Sequence, residues 1–253
     1  MRKLLFAVLL SLFWAWPLFA AVKPVYKATD VEVSPDFIIK DFSIYPYSTS
    51  YLMGYSRVKY TGREMIEYVR LDCHLFKAGQ LAGTTELYGD YGTYGQNGMR
   101  PGTENFYSSF ISLVDFDSIA FSISYHIGDG LKPFINKEAL TVTPTATERY
   151  GAGQRISGVV KNTSSTVVPY PSVLVCIYRE GQMVQYRRAF ADTPAHTLLP
   201  GQSAPFHCFI DGMPYDSIVY LSNTAVAEEH RKSAPSLGMQ TAGNPVLFYL
   251  SQI

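Results

Sequence analysis

His74 stands two residues from Asp72, and both occupy polar positions of an alternating stretch, so they share one strand face. An aspartate beside a histidine is half of a metal site or half of a catalytic dyad. The rest of such a site is missing from the sequence. Four further histidines, His126, His196, His207 and His230, have no second ligand-type residue at a zinc spacing. Asp115 and Asp117 alternate around Phe116, but no glycine and no distal glutamate complete a calcium loop. No G-x-S-x-G turn supplies a nucleophile elbow. The sequence therefore assigns no catalytic, cofactor-binding or metal-ligating residue, and it predicts a non-enzymatic protein. The stretch that does invite a ligand is "ELYGDYGTYGQNGMRPG", residues 86–102. Tyr88, Tyr91 and Tyr94 are spaced three apart among glycines. Tyrosine faces stack on sugar or peptide and their hydroxyls hydrogen-bond, so these three are the candidate contacts for a partner. The competing reading is a long hairpin whose tyrosines fold back over a sheet face.

These residues must be carried by strands. "PGTENFYSSFISLVDFDSI" (101–119) reappears as "PGQSAPFHCFIDGMPYDSI" (200–218), with identities at Pro101/Pro200, Gly102/Gly201, Phe110/Phe209, Ile111/Ile210, Asp117/Asp216, Ser118/Ser217 and Ile119/Ile218. Upstream, "LFKAGQL" (75–81) faces "IYREGQM" (177–183), and "VKYT" (58–61) faces "VKNT" (160–163), both at an offset of 102. "FSIYP" (42–46) parallels "LTVTP" (140–144) at an offset of 98. Common order and near-constant spacing indicate duplication of one unit. Repeated apolar positions such as Phe110/Phe209 and Ile119/Ile218 are then expected to superpose as a duplicated core. The recurrence of Asp117 as Asp216 within a repeated turn favours a backbone-capping role.

Val69, Leu71, Cys73 and Leu75 alternate with Arg70, Asp72 and His74, and Ile119, Phe121, Ile123 and Tyr125 alternate likewise. Period 2 over this length is a strand with one buried face. Gly79-Gln80, Gly181-Gln182, Pro101-Gly102 and Pro200-Gly201 mark turns. Short strands between regular turns point to an all-β chain of antiparallel sandwich units. One short helix is a candidate near residues 225–232.

The second repeat resembles the bacterial FxLYD-type extracellular domain, a small immunoglobulin-like β-sandwich. The resemblance rests on Gly158-Val-Val-Lys-Asn162, on "VLVCIYREGQMV" (173–184), and on Leu199-Pro-Gly with Phe206 beyond. The family's tyrosine falls on Tyr178, and its aspartate is replaced by Arg179. In the first repeat Lys59-Tyr60 replaces Lys-Asn, and Phe76 takes the tyrosine position. The resemblance implies two tandem immunoglobulin-like sandwiches and an accessory, non-catalytic role.

The three cysteines leave two readings open. Cys176 and Cys208 occur together in the second repeat, where the first has His74 and Ser109, which suggests a disulfide. Side-chain direction opposes it. Val173, Val175 and Ile177 should point inward and Cys176 outward, whereas Phe206, Cys208 and Ile210 should point inward together. Cys73 reads as a buried free thiol.

Residues 1–20 form a signal-peptide pattern, with Arg2 and Lys3 before an apolar run that ends at Ala20-Ala21. The predicted division is a cleaved leader over 1–20, a lead-in over 21–35, the first repeat over 36–127, a linker over 128–135, the second repeat over 136–224, and a tail over 225–253. The tail's end, "PVLFYLSQI", is a plausible docking strand. The chain carries 21 basic and 21 acidic side chains, which gives no electrostatic footprint for nucleic acid. No later segment is long and apolar enough to span a membrane. The expectation is an exported recognition or scaffolding protein of the bacterial envelope, in the periplasm, at the cell surface or outside, with a protein or glycan partner. The alternative is a glycan-binding accessory module that uses the tyrosine-rich loop for a separate carbohydrate-active enzyme.

Overall fold

The computed structural model describes residues 26–89, 99–127, 134–136, 139–194, 196–226, 240–242 and 248–249. The predicted leader, Tyr91 and Tyr94, and most of the predicted linker and tail lie outside them. The described residues form strands, turns and irregular segments, and no helix among them is long and apolar enough to cross a membrane. All strand pairings are antiparallel, as the alternating patterns predict.

The N-terminal half contributes β1 (Tyr26–Ser34), β2 (Phe37–Pro46), β3 (Tyr51–Tyr60), β4 (Ile66–Lys77), β5 (Gln80–Gly89), β6 (Glu104–Ser112) and β7 (Ser118–Ile127). The connecting strand β8 (Phe134–Asn136) follows. The C-terminal half contributes β9 (Leu140–Tyr150), β10 (Gly153–Asn162), β11 (Val168–Pro169), β12 (Ser172–Arg179), β13 (Gln182–Phe190), β14 (Thr197–Leu198), β15 (Ser203–Ile210) and β16 (Ser217–Val226). Two short strands, β17 (Gln240–Ala242) and β18 (Phe248–Tyr249), complete the set. The N-terminal half is one continuous path, β1-β2-β3-β6-β5-β4-β7-β17, with β18 also on β7. The C-terminal half keeps two larger sheets apart, β15-β10-β9 and β13-β12-β16-β8, with β11-β14 beside them. The candidate helix near 225–232 is not borne out at its start, because Ala225 and Val226 belong to β16 and pair with β8.

The two halves make the same local bonds. Ala78 and Gly79 both have positive φ, as do Glu180 and Gly181. This is what a two-residue hairpin turn with matching twist requires. Asp117 accepts the N–H of Ala78 at 2.8 Å, and Asp216 accepts the N–H of Glu180 at 2.6 Å, so each aspartate caps a hairpin. The N–H of Gly102 donates to Tyr60 and that of Gly201 to Asn162, both at 2.9 Å. Phe37 pairs with Tyr60, and Leu140 pairs with Asn162. That last pair corrects the alignment of residues 42–46 with 140–144. Leu140 stands where Phe37 does, not where Phe42 does. The short motif match slipped because β2 and β9 meet their partners through bulges at different places.

Packing follows the alternation. Val69, Leu71, Cys73 and Leu75 are buried beside Ile119, Phe121 and Ile123 of the paired strand, in a core shared with Phe37, Phe42, Ile44 and Tyr107. β12 is different. Ser172 to Ile177 are buried on both faces, as a run of consecutive apolar residues demands. One face packs within the C-terminal half. The other meets Tyr45, Tyr55 and Phe106 of the N-terminal half. Phe110 and Phe209 are not core residues. They are 50% and 45% exposed, because in β6 and β15 the inward positions are their neighbours Ile111 and Ile210.

Candidate functional site

The outer face of β4, β5 and β7 carries the histidine that the sequence singles out. His74 Nε2 lies 2.8 Å from the Ser122 hydroxyl, and Nδ1 lies 3.1 Å from the Thr84 hydroxyl. Burial, with a contribution from Arg70, holds its pKa below the usual imidazole range. Asp72 does not orient this ring. Both its carboxylate oxygens accept from Arg70 Nε, at 2.9 and 3.0 Å. A serine touching a histidine is therefore present, but the carboxylate that would fix the tautomer is bound elsewhere. Among the described residues no group of three or more His, Cys, Asp or Glu side chains could hold a metal ion.

Cys73, Cys176 and Cys208 are buried and none is in a disulfide, so the Cys176–Cys208 bond is not formed. The reason is direction. Cys176 pairs across β12–β13 with Tyr186, whose ring meets Tyr55 and Phe106 of the N-terminal half. Cys208 lies beside Phe206 and Ile210 on the inward face of β15. The two thiols face away from each other, and burial raises the pKa of Cys208 to about 11.

The predicted tyrosine loop is shorter than the sequence suggests. Residues up to Gly89 belong to β5, where Tyr88 pairs with Ser108 of β6, and Met99 is buried and bridges Ile66. Tyr88 is 64% exposed, on the same face as Glu86 and Thr84. Tyr91 and Tyr94 lie outside the described residues.

A second set of exposed aromatics centres on Phe110 and Phe209, which the repeat led us to expect in the core. Phe110 is flanked by Tyr47 and Tyr51, with ring centroids 4.9 and 6.1 Å away, both edge-on. Phe209 meets Tyr150 at 4.6 Å and His207 at 6.0 Å. Tyr47 and Tyr150 close the β2–β3 and β9–β10 hairpins, so the two clusters occupy corresponding corners. The signal was in the sequence. An aromatic identity at a position that alternation turns outward has no reason in the core.

The halves meet through the outer face of β2-β3-β6 and the outer face of β12-β13. Ser43 donates to the Met183 carbonyl at 2.5 Å. Arg57 pairs with buried Asp41 at 2.6 Å and reaches Glu104 at 3.6 Å. Burial raises the pKa of Asp41, and the charge of Arg57 opposes that rise. The same face on the C-terminal half, over β9-β10-β15, is uncovered by any described strand. There Glu148, Ser157 and Pro205 stand where Tyr45, Tyr55 and Phe106 stand in the N-terminal half.

No family model matches the chain, and no curated protein matches it.

Proposed function

We propose that the chain is an exported recognition or scaffolding protein of the bacterial envelope, built from two copies of an FxLYD-like, immunoglobulin-type sandwich. The matching turn bonds of the two halves support the duplication. The leader pattern of residues 1–20 supports export. The observation that carries recognition is the pair of exposed aromatic clusters, Tyr47–Phe110–Tyr51 and Tyr150–Phe209, held at corresponding corners. Exposed rings held together away from any core present adhesive, low-entropy contact area to a partner. The second reading is a glycan-binding accessory module. It draws on Tyr88, which stands exposed where β5 leads into the glycine- and tyrosine-rich segment.

Titration calorimetry with soluble envelope polysaccharide and with envelope peptide tests both readings. Saturable binding that weakens at least tenfold in Phe110→Ala/Phe209→Ala supports recognition through the clusters. Polysaccharide binding that is lost in Tyr88→Ala but kept in that double variant favours the accessory reading. Turnover of either material by the purified chain, without saturable binding, overturns both.

A further inference from the structure

We propose that the free edge of β9 is a self-association surface, which pairs antiparallel with the β9 of a second copy of this chain. The inference does not rest on the recognition reading. β9 ends the sheet β15-β10-β9 and is paired on one side alone among the described residues. The corresponding strand of the N-terminal half, β2, has both sides paired, because β1 covers its outer edge from Tyr26 to Ser34. The segment that precedes β9 does not repeat this. β8 pairs with the end of β16 instead.

The contrast extends to the faces. β2 is buried on both faces from Asp41 to Tyr45, whereas Thr141, Thr143 to Thr145 and Thr147 to Tyr150 of β9 are exposed. An unpaired row of backbone donors and acceptors is a template for another strand, and proteins commonly guard it with lysine, proline or a bulge. β9 has no lysine, and Leu140 to Thr147 carry no charge. Its guards, Pro144 and the irregularity opposite Ser157 and Gly158, lie in the first half of the strand. From Ala146 to Tyr150 the ladder with β10 is regular.

The sequence of this stretch selects a second copy as the occupant. A two-fold axis perpendicular to the sheet keeps each face on its own side, so opposed residues must be an even number apart. Centred on Thr147, the pairing sets Thr147 against itself and Ala146 against Glu148, while Arg149 meets Thr145, the residue at the irregularity. β-branched pairs are favourable across strands, and no like charges meet. Centring on Glu148 would oppose two carboxylates. Without Arg2 and Lys3 of the leader, 19 basic and 21 acidic side chains remain, and so small an imbalance leaves little long-range repulsion between copies. The product is a six-stranded sheet, β15-β10-β9-β9-β10-β15.

Sedimentation velocity of the purified protein from micromolar to millimolar concentration reads the association directly. A monomer–dimer equilibrium is expected. Thr147→Lys, at an exposed site, leaves the fold intact and should weaken the dimer at least tenfold, because two ammonium groups then meet across the axis. Thr147→Pro should abolish it. Under mild oxidation Thr147→Cys should give a disulfide-linked dimer, while Ser203→Cys, on the opposite edge strand β15, should not. A monomer throughout the concentration range overturns the proposal. So does a dimer that is indifferent to both Thr147→Lys and Thr147→Pro.

Discussion

The hydroxyl of Ser108, in β6, donates to the hydroxyl of Tyr186, in β13, at 3.1 Å, and this bond crosses from one half of the chain to the other. The ring of Tyr186 lies edge-on to Tyr55 at 5.9 Å and to Phe106 at 5.8 Å. The same register position in the N-terminal half is Thr84, on an exposed face. Cys176, Tyr186 and Leu221 in the covered sheet thus stand where His74, Thr84 and Ser122 stand in the uncovered one. The polar cluster around His74 is what this strand face carries when no second half covers it. Its hydroxyls and imidazole satisfy one another at a sheet surface, which accounts for their proximity.

Tyr186 should therefore anchor the contact between halves. Tyr186→Ala removes a buried ring from between Tyr55 and Phe106 and should lower unfolding free energy by roughly 3–5 kcal/mol. Tyr186→Phe keeps the ring and removes the hydroxyl that accepts from Ser108, a loss of about 1 kcal/mol. Urea denaturation of the two variants checks both values. Equal, small losses would mean that the halves do not depend on this ring.

Alkaline pH should loosen the protein through its buried phenols. Burial pushes Tyr26, Tyr45 and Tyr60 up from 10.0 to about 12. A group whose folded pKa is raised contributes stability that is whole below its unfolded pKa and is lost as pH rises through the folded one. The contribution of these phenols should thus be constant below pH 10 and be lost between about 10 and 12. Phenolate absorbance followed with pH checks this, since phenols that solvent reaches ionise ahead of buried ones. A later phase should coincide with loss of the circular dichroism of the strands. A single early phase with the fold intact would show that these phenols reach solvent.

Much of this architecture is legible in the amino-acid order. The alternation through Val69 to Leu75 states which face is buried, and the repeated Pro-Gly and Asp-Ser pairs locate turns that carry the same bonds in both halves. What is hidden depends on contact between distant segments. Nothing local to β12 says what will cover Leu174 and Cys176, because the cover comes from Tyr45, Tyr55 and Phe106. The run Val173 to Ile177 hinted at it by lacking an outward polar residue. Strand alternation also placed Cys176 and Cys208 on opposing courses, and co-occurrence in one repeat could not overrule that geometry. Phe110 and Phe209 invited a core reading because identity at an apolar position usually reflects packing. Their period-2 phase with Ile111 and Ile210 pointed outward instead.

Asn162 carries the last prediction, since it is the residue on which the two halves most clearly diverge in chemistry while sharing a place. Its side chain is fully buried. Nδ2 donates to the carbonyls of Thr166 and Leu198, both at 2.8 Å, while Oδ1 accepts from the N–H of Ser164 at 2.9 Å and from its hydroxyl at 2.7 Å. One amide thus ties the loop after β10 to β14. The N-terminal half has Tyr60 at this position, where the ring packs on Phe37 at 5.0 Å instead. Asn162→Ala strands the buried Leu198 carbonyl and should cost roughly 2–4 kcal/mol, because an unmade buried hydrogen bond costs more than a made one contributes. Asn162→Asp should fare no better at neutral pH, since a carboxylate cannot donate to two carbonyl oxygens. Urea midpoints should fall in both variants with the slope unchanged, as expected when the folded state alone is weakened. A loss below about 0.5 kcal/mol in Asn162→Ala would place the burden on the loop backbone and leave the asparagine without a structural task.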